Sequence, residues 1–192
     1  MTTATSPVSA ERAPAMALTL RNLYFVRFGF AIVWAALVFV TGHTLGPASI
    51  TLLVLYPLFD VAAAIVDHRA SKGSRSSALL YVNMALSVLA AIGLAIAVTS
   101  GLPAVLAVWG AWAITAGAVQ LIVALTRRGL GGQWAMILSG GISVLAGASF
   151  ILQSTGPSAS LTGPAGYAVL GAIFFLISAI RLRRATMHAK IS

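Results

Sequence analysis

Asp60, in LYPLFDVAAAIVDHR, is an acid set well inside an apolar stretch, seven residues before Asp67. At 1.5 Å of helix per residue it lies roughly 10 Å deeper than Asp67, which belongs near an interface. Arg27 follows Arg21 by six residues and reaches a similar depth from the same side. In a bilayer a charge at that depth costs on the order of 2–3 kcal/mol or more unless it is paired, snorkelling or hydrated. Three chemistries are therefore open: an Asp60–Arg27 pair; a snorkelling Arg27 with Asp60 protonated or bonded to backbone or hydroxyl; or a proton- or ion-handling role. The positions 56 and 112 residues beyond Asp60 are Ala116 and Ala172, so no ring of acids forms, which argues against a symmetric cation filter.

Asn83, Ser139 and Gln120 are the other polar candidates. Asn83, Ser87, Ala91 and Ala95 recur every four residues, as do Ser139, Ser143 and Gly147, and Arg27, Ala31 and Ala35. Small residues at this spacing allow close helix approach, and hydroxyls bond across helices. Such a stripe is either a packing seam or a polar collar in which Arg27, Asn83 and Ser139 converge, with Ser87 and Ser143 one turn deeper. Gln120 reads as an interhelical bond or a substrate contact. Among the aromatics, Tyr24, Tyr81 and Trp134 near one interface and Tyr167 near the other fit an interfacial belt. Trp109 and Trp112 suit lipid anchoring or packing. His43, His68 and His188 have no ligand at useful spacing, and there is no cysteine, so no metal site or cofactor is expected. RRGLGGQW lacks the Gly-Lys-Ser/Thr of a phosphate loop, and no nucleophile has a base beside it, so the chain does not read as an enzyme.

The elements that must position these residues are membrane spans. Of 192 residues 59% are hydrophobic and only 8% charged, too few to clothe a water-facing surface. Six stretches approach the roughly 20 apolar residues a span requires: about 23–41, 49–66, 78–98, 104–125, 134–152 and 164–181. They repeat. RFGFAIVWA, NMALSVLAA and SGGISVLAG begin at Arg27, Asn83 and Ser139, 56 positions apart (83 − 27 and 139 − 83), and the step also carries Pro47 to Pro103 and Arg127 to Arg183. The expected fold is an all-α integral membrane protein of six transmembrane helices, built as three parallel two-helix hairpins at about 21–70, 77–126 and 133–184. Residues 23–184 form the membrane domain. Residues 1–22 lack the apolar core of a cleavable signal peptide and read as a flexible tail, and 185–192 as a second tail.

Twelve Lys and Arg against three acids give a net charge of +9. These cations precede span one (Arg12, Arg21) or lie in its first turns (Arg27), fall between spans two and three (Arg69, Lys72, Arg75) and four and five (Arg127, Arg128), or follow span six (Arg181, Arg183, Arg184, Lys190). The other loops, TGHTLGPA, TSGLP and QSTGPSASLTG, hold no Lys, Arg, Asp or Glu. This bias orients both termini to the cytoplasm. Arg127, Arg128, Arg181, Arg183 and Arg184 then form a rim facing anionic lipid headgroups, worth roughly 1 kcal/mol per residue. Their placement at span ends speaks for the bilayer as partner and against nucleic acid.

GAWAITAGAVQLIVALTRRGLGGQWAMILSGGISVLAGASF resembles the repeat of the HdeD family of bacterial acid-resistance membrane proteins: an aromatic-rich helix with a central Gly, a basic turn, then Trp and a small-residue helix with Ser-Gly. These are Gly117, Arg127, Arg128, Trp134, Ser139 and Gly140. LYFVRFGFAIVWAAL and LLVLYPLFDVAAAIV are similar to the first copy, with Arg27, Gly29 and Asp60. The resemblance spans roughly residues 21–184, departing at Ala78 and Met84 in the middle copy and at Ile173 in the third. It implies a multi-pass protein of the bacterial inner membrane linked to survival under acid stress, and it carries over no catalytic residue.

Three functions are consistent with this: a non-enzymatic acid-resistance membrane protein, a small-solute or ion transporter or channel along a pseudo-threefold axis, and an assembly factor whose basic rim recruits a lipid or protein. A homo-oligomer or a membrane-protein partner is compatible with each. Polar stripes on a wet cavity favour the second; a dry seam favours the first.

Overall fold

The computed structural model describes residues 7–71, 77–130, 133–156 and 159–188. Among them are six long helices and no strand: α1 (Pro7–Thr41), α2 (Pro47–Ala70), α3 (Ser77–Ala97), α4 (Leu102–Thr126), α5 (Trp134–Ser154) and α6 (Thr162–His188). Each contains a stretch long and apolar enough to cross a membrane. Their outward faces carry Val26, Val33, Val40, Leu89, Ile96, Leu145 and Leu152, all exposed. Such a continuous apolar exterior suits lipid rather than water, and the chain reads as a multi-pass integral membrane protein.

Proline and glycine punctuate the helices as the sequence suggests. Pro47 opens α2 and Pro103 lies in the first turn of α4, where a missing N–H costs no helix bond. Ser49 ties the start of α2, donating to the Thr44 carbonyl at 2.7 Å and accepting from the Gly46 N–H at 3.0 Å. Gly101 precedes α4 at φ +92°, a backbone conformation glycine tolerates best.

The described part of the expected N-terminal tail is helical. From Pro7 onward it continues α1, and Ala17 and Leu20 are buried against Ala179 and Leu182 of α6. Residues 1–6 and 189–192, with Lys190, and residues 72–76, with Lys72 and Arg75, lie outside the described residues.

Each helix packs on the next in chain order, and α6 packs on α1, which closes a ring. The seams alternate. Those at α2/α3, α4/α5 and α6/α1 are more extensive than those at α1/α2, α3/α4 and α5/α6. The α4/α5 seam is the most extensive because glycines face one another across it. A Cβ on Gly147 would stand 2.5 Å from the Gly110 carbonyl oxygen, and one on Gly140 would stand 2.8 Å from that of Gly117. Without side chains the backbones come into direct contact, as in small-residue membrane interfaces.

The ring's interior is divided. Away from the basic loops it is a dry core of Trp34, Val38, Leu53, Leu94, Val105, Trp109, Phe150 and Leu161. Toward them it is polar. Gly147→Val places a branched side chain against backbone that cannot move aside and should destabilise the bundle by about 1–3 kcal/mol in mixed-micelle unfolding. Gly29→Ala, where an added Cβ meets nothing within 4 Å, should be neutral or stabilising by about 0.5–1 kcal/mol. Equal effects of the two would refute the glycine seam.

Candidate functional site: a polar cavity inside the ring

The basic half of the ring encloses a cavity of about 100 Å³ to which all six helices contribute. Arg27, Asp60, Asn83, Gln120 and Ser139, the five polar residues singled out within the spans, all line it. Residues one 56-position step apart share it: Arg27, Asn83 and Ser139 do so, and so do Tyr24, Leu80 and Met136.

Asp60 is its electrostatic centre. One carboxylate oxygen accepts from the Arg27 guanidinium. The other accepts from Asn83 Nδ2 at 2.7 Å and from Ser87 Oγ at 2.7 Å. Ser87 in turn accepts from the Trp112 indole N–H at 3.1 Å. The guanidinium also lies 4.8 Å from the centroid of the Phe175 ring, a cation–π contact that strengthens when desolvated. The network thus joins α1, α2, α3, α4 and α6, and the paired arrangement is the one the protein adopts. Ser87 had a place one turn deeper in the sequence reading. Trp112 did not: with Trp109 it was assigned to lipid anchoring or packing, and both are buried inside the ring.

An aromatic layer bounds the cavity on the side of the dry core. Trp34 and Trp109 stack at 5.2 Å, and Tyr56 meets Trp34, Trp109 and Trp112 edge-on. The Trp34 indole donates to the Leu52 carbonyl at 2.7 Å, next to the Leu53 carbonyl that Pro57 leaves without its helix partner. On the α5/α6 side, the Tyr167 hydroxyl donates to Ser143 Oγ at 2.6 Å, and Ser143 donates to the Ser139 carbonyl at 2.7 Å. Gln120 Nε2 reaches the Met136 carbonyl at 3.5 Å. The belt assignment of Tyr24 and Tyr167 does not hold, because both line the cavity. Tyr81 and Trp134 are exposed as expected.

A second ion pair lies at the opposite, basic end of the cavity. Arg127 Nη1 donates to Asp67 Oδ2 at 2.9 Å and Nη2 to Asp67 Oδ1 at 2.7 Å, while Nη2 also donates to Ser71 Oγ at 2.7 Å. Ser71 donates to Asp67 at 3.0 Å. Arg127 was expected on the lipid-facing rim, yet its side chain is only 4% exposed. The cause is geometric: Asp67 on α2 comes to the level of the last residue of α4, and a bidentate carboxylate outcompetes lipid for the guanidinium. Arg128, Arg183 and Arg184 remain exposed, as does Arg181, whose guanidinium lies 4.7 Å from the Trp134 ring centroid.

Among the described residues no three His, Asp or Glu side chains converge on a metal-sized site. The arrangement can instead hold a small polar molecule between an aromatic floor and an ion-paired cap. Compared with known proteins, the chain matches no family model, no curated protein and no solved structure.

Arg127→Gln strands Asp67 as a buried, unpaired charge and should cost about 3–5 kcal/mol of stability. Arg128→Gln, on the exposed neighbour, should stay within about 0.5 kcal/mol of the parent. Mixed-micelle unfolding of both variants distinguishes a buried cap from a lipid-facing rim, for which the two losses would be alike.

Proposed function

We propose that this chain is a non-enzymatic, small-solute-handling membrane protein whose cavity is entered from its basic, cytoplasmic end. One observation carries the reading: Arg27, Asp60, Asn83, Gln120 and Ser139, from five different helices, line one cavity. A chain that only had to pack would bring such side chains into contact with one another and leave no space between them. The charged residues of the cavity are engaged with each other in ion pairs, which supports a binding role over a catalytic one.

The three-hairpin repeat belongs to this proposal. It is supported by the 56-residue step, by the alternation of extensive and slighter seams around the ring, and by step-related residues sharing the cavity. Three parallel hairpins place that cavity on an axis along the membrane normal. The cytoplasmic placement of both termini rests on the Lys/Arg bias of the loops.

The chain has no cysteine, so Asn83→Cys and Ser139→Cys each introduce a single thiol. Both should react with a small hydrophilic thiol reagent in membranes opened to the basic side, at a rate well above that of Val33→Cys on the lipid face. Failure of both to label, with a labelled loop control, would remove the solute reading.

A stress-related role of the HdeD type is a second reading, favoured by the resemblance of the repeats and by far-side loops that carry no Asp or Glu and leave little to titrate there. Its measure is survival after external acid challenge. Deleting the gene should lower survival and restoring it should recover survival; an unchanged deletion strain would set this role aside.

A further inference from the structure

We infer that the cavity is a binding site for a small uncharged polyol. This rests on the solute reading above and narrows it to a chemical class.

Charge comes first. The cavity is lined by two arginines and two aspartates, and these are already spent on each other: Arg27 on Asp60, and Arg127 on Asp67. An entering ion would lose its hydration and meet no unspent countercharge, an unfavourable exchange in low dielectric. A net-neutral molecule escapes that cost.

The unspent hydrogen-bonding groups then say what kind of neutral molecule fits. Asn83 directs its N–H at Asp60, since a carboxylate only accepts, and so leaves its amide oxygen to the cavity. Gln120 directs its N–H at the Met136 carbonyl, over a long 3.5 Å, and leaves its oxygen likewise. Among the described residues, the hydroxyls of Tyr56 and Ser139 make no hydrogen bond, although both residues line the cavity. The site therefore offers two amide acceptors and two hydroxyls able to give or take a proton. Groups that both donate and accept answer such a set, and a polyol carries one on every carbon. A carboxylate would face mainly acceptors.

Shape agrees. Phe30 and Phe59 stack at 3.7 Å along one wall, with Trp112, Tyr56 and Phe175 around it. This aromatic wall matches the C–H side of a polyol, while its hydroxyls turn to the polar groups. A cavity of about 100 Å³ has room for several waters, which a three- or four-carbon polyol can replace.

The test uses the full chain in nanodiscs and tritiated erythritol, with retention read by scintillation proximity. Retention should be saturable, displaced by unlabelled glycerol, and indifferent to sodium chloride, acetate or glycine betaine at matched osmolarity. Tyr56→Phe and Ser139→Ala should each weaken it by roughly tenfold, the worth of one hydrogen bond, and Arg128→Gln should not. The competition panel needs no variant, so it decides even if a substitution impairs folding. Displacement by acetate or sodium would overturn the polyol assignment in favour of an ion site. No saturable retention, with Asn83→Cys and Ser139→Cys still labelling, would overturn it while leaving the solute reading in place. Absence of both labelling and retention would remove the solute reading itself.

Discussion

An aspartate set well inside a membrane span needs compensation, and the way Asp60 is compensated organises the rest of this molecule. Its carboxylate takes a guanidinium from α1 and two neutral donors from α3, while Trp112 of α4 supports one of those donors. Four helices are thereby held at one level by hydrogen bonds that water cannot replace in a bilayer interior. Phe175 covers the guanidinium from α6. The side chains that satisfy Asp60 have to face inward, and this inward orientation gives the basic half of the ring its polar wall.

The two halves of the interior follow from different packing materials. Away from the basic loops, indole rings and branched aliphatics fill the space, and Trp34 and Trp109 stack across the axis. Toward those loops, arginines, aspartates and amides cannot close-pack without losing hydrogen bonds, so volume remains between them. The Asp67–Arg127 pair caps that volume and does so with bidentate geometry. The cavity is thus bounded by an aromatic layer on one side and a salt-bridged pair on the other.

Much of this was legible in the sequence, for identifiable reasons. The spans follow from length and composition, and the 56-residue step sets Arg27, Asn83 and Ser139 at corresponding positions. The Asp60–Arg27 pair was one of three outcomes that depth matching allowed. Which side of a helix faces inward was not legible, because a membrane helix is apolar toward lipid as well as toward its neighbours, and the periodicity that separates faces in a water-soluble helix is lost. That is why Tyr24 and Tyr167 were assigned to the interface and are found inside, and why lipid anchoring and packing stayed open for Trp109 and Trp112, which pack in the core. Arg127 failed for a related reason: arginines at a span end look alike until the partner of one of them is seen. Asp67, 60 residues away in the chain, supplies that partner. The burial of Ala17 and Leu20 was not legible because their partners, Ala179 and Leu182, belong to the other end of the chain.

The central claim is that Arg27 and Asp60 stabilise the ring as a pair and not as separate residues. A double-mutant cycle in mixed-micelle unfolding tests this most directly, using Arg27→Met, Asp60→Leu and the two combined. The account predicts that each single variant is strongly destabilised and that the combined variant recovers part of the loss, with a coupling of about 0.5–3 kcal/mol. Simple addition of the two single losses would contradict it.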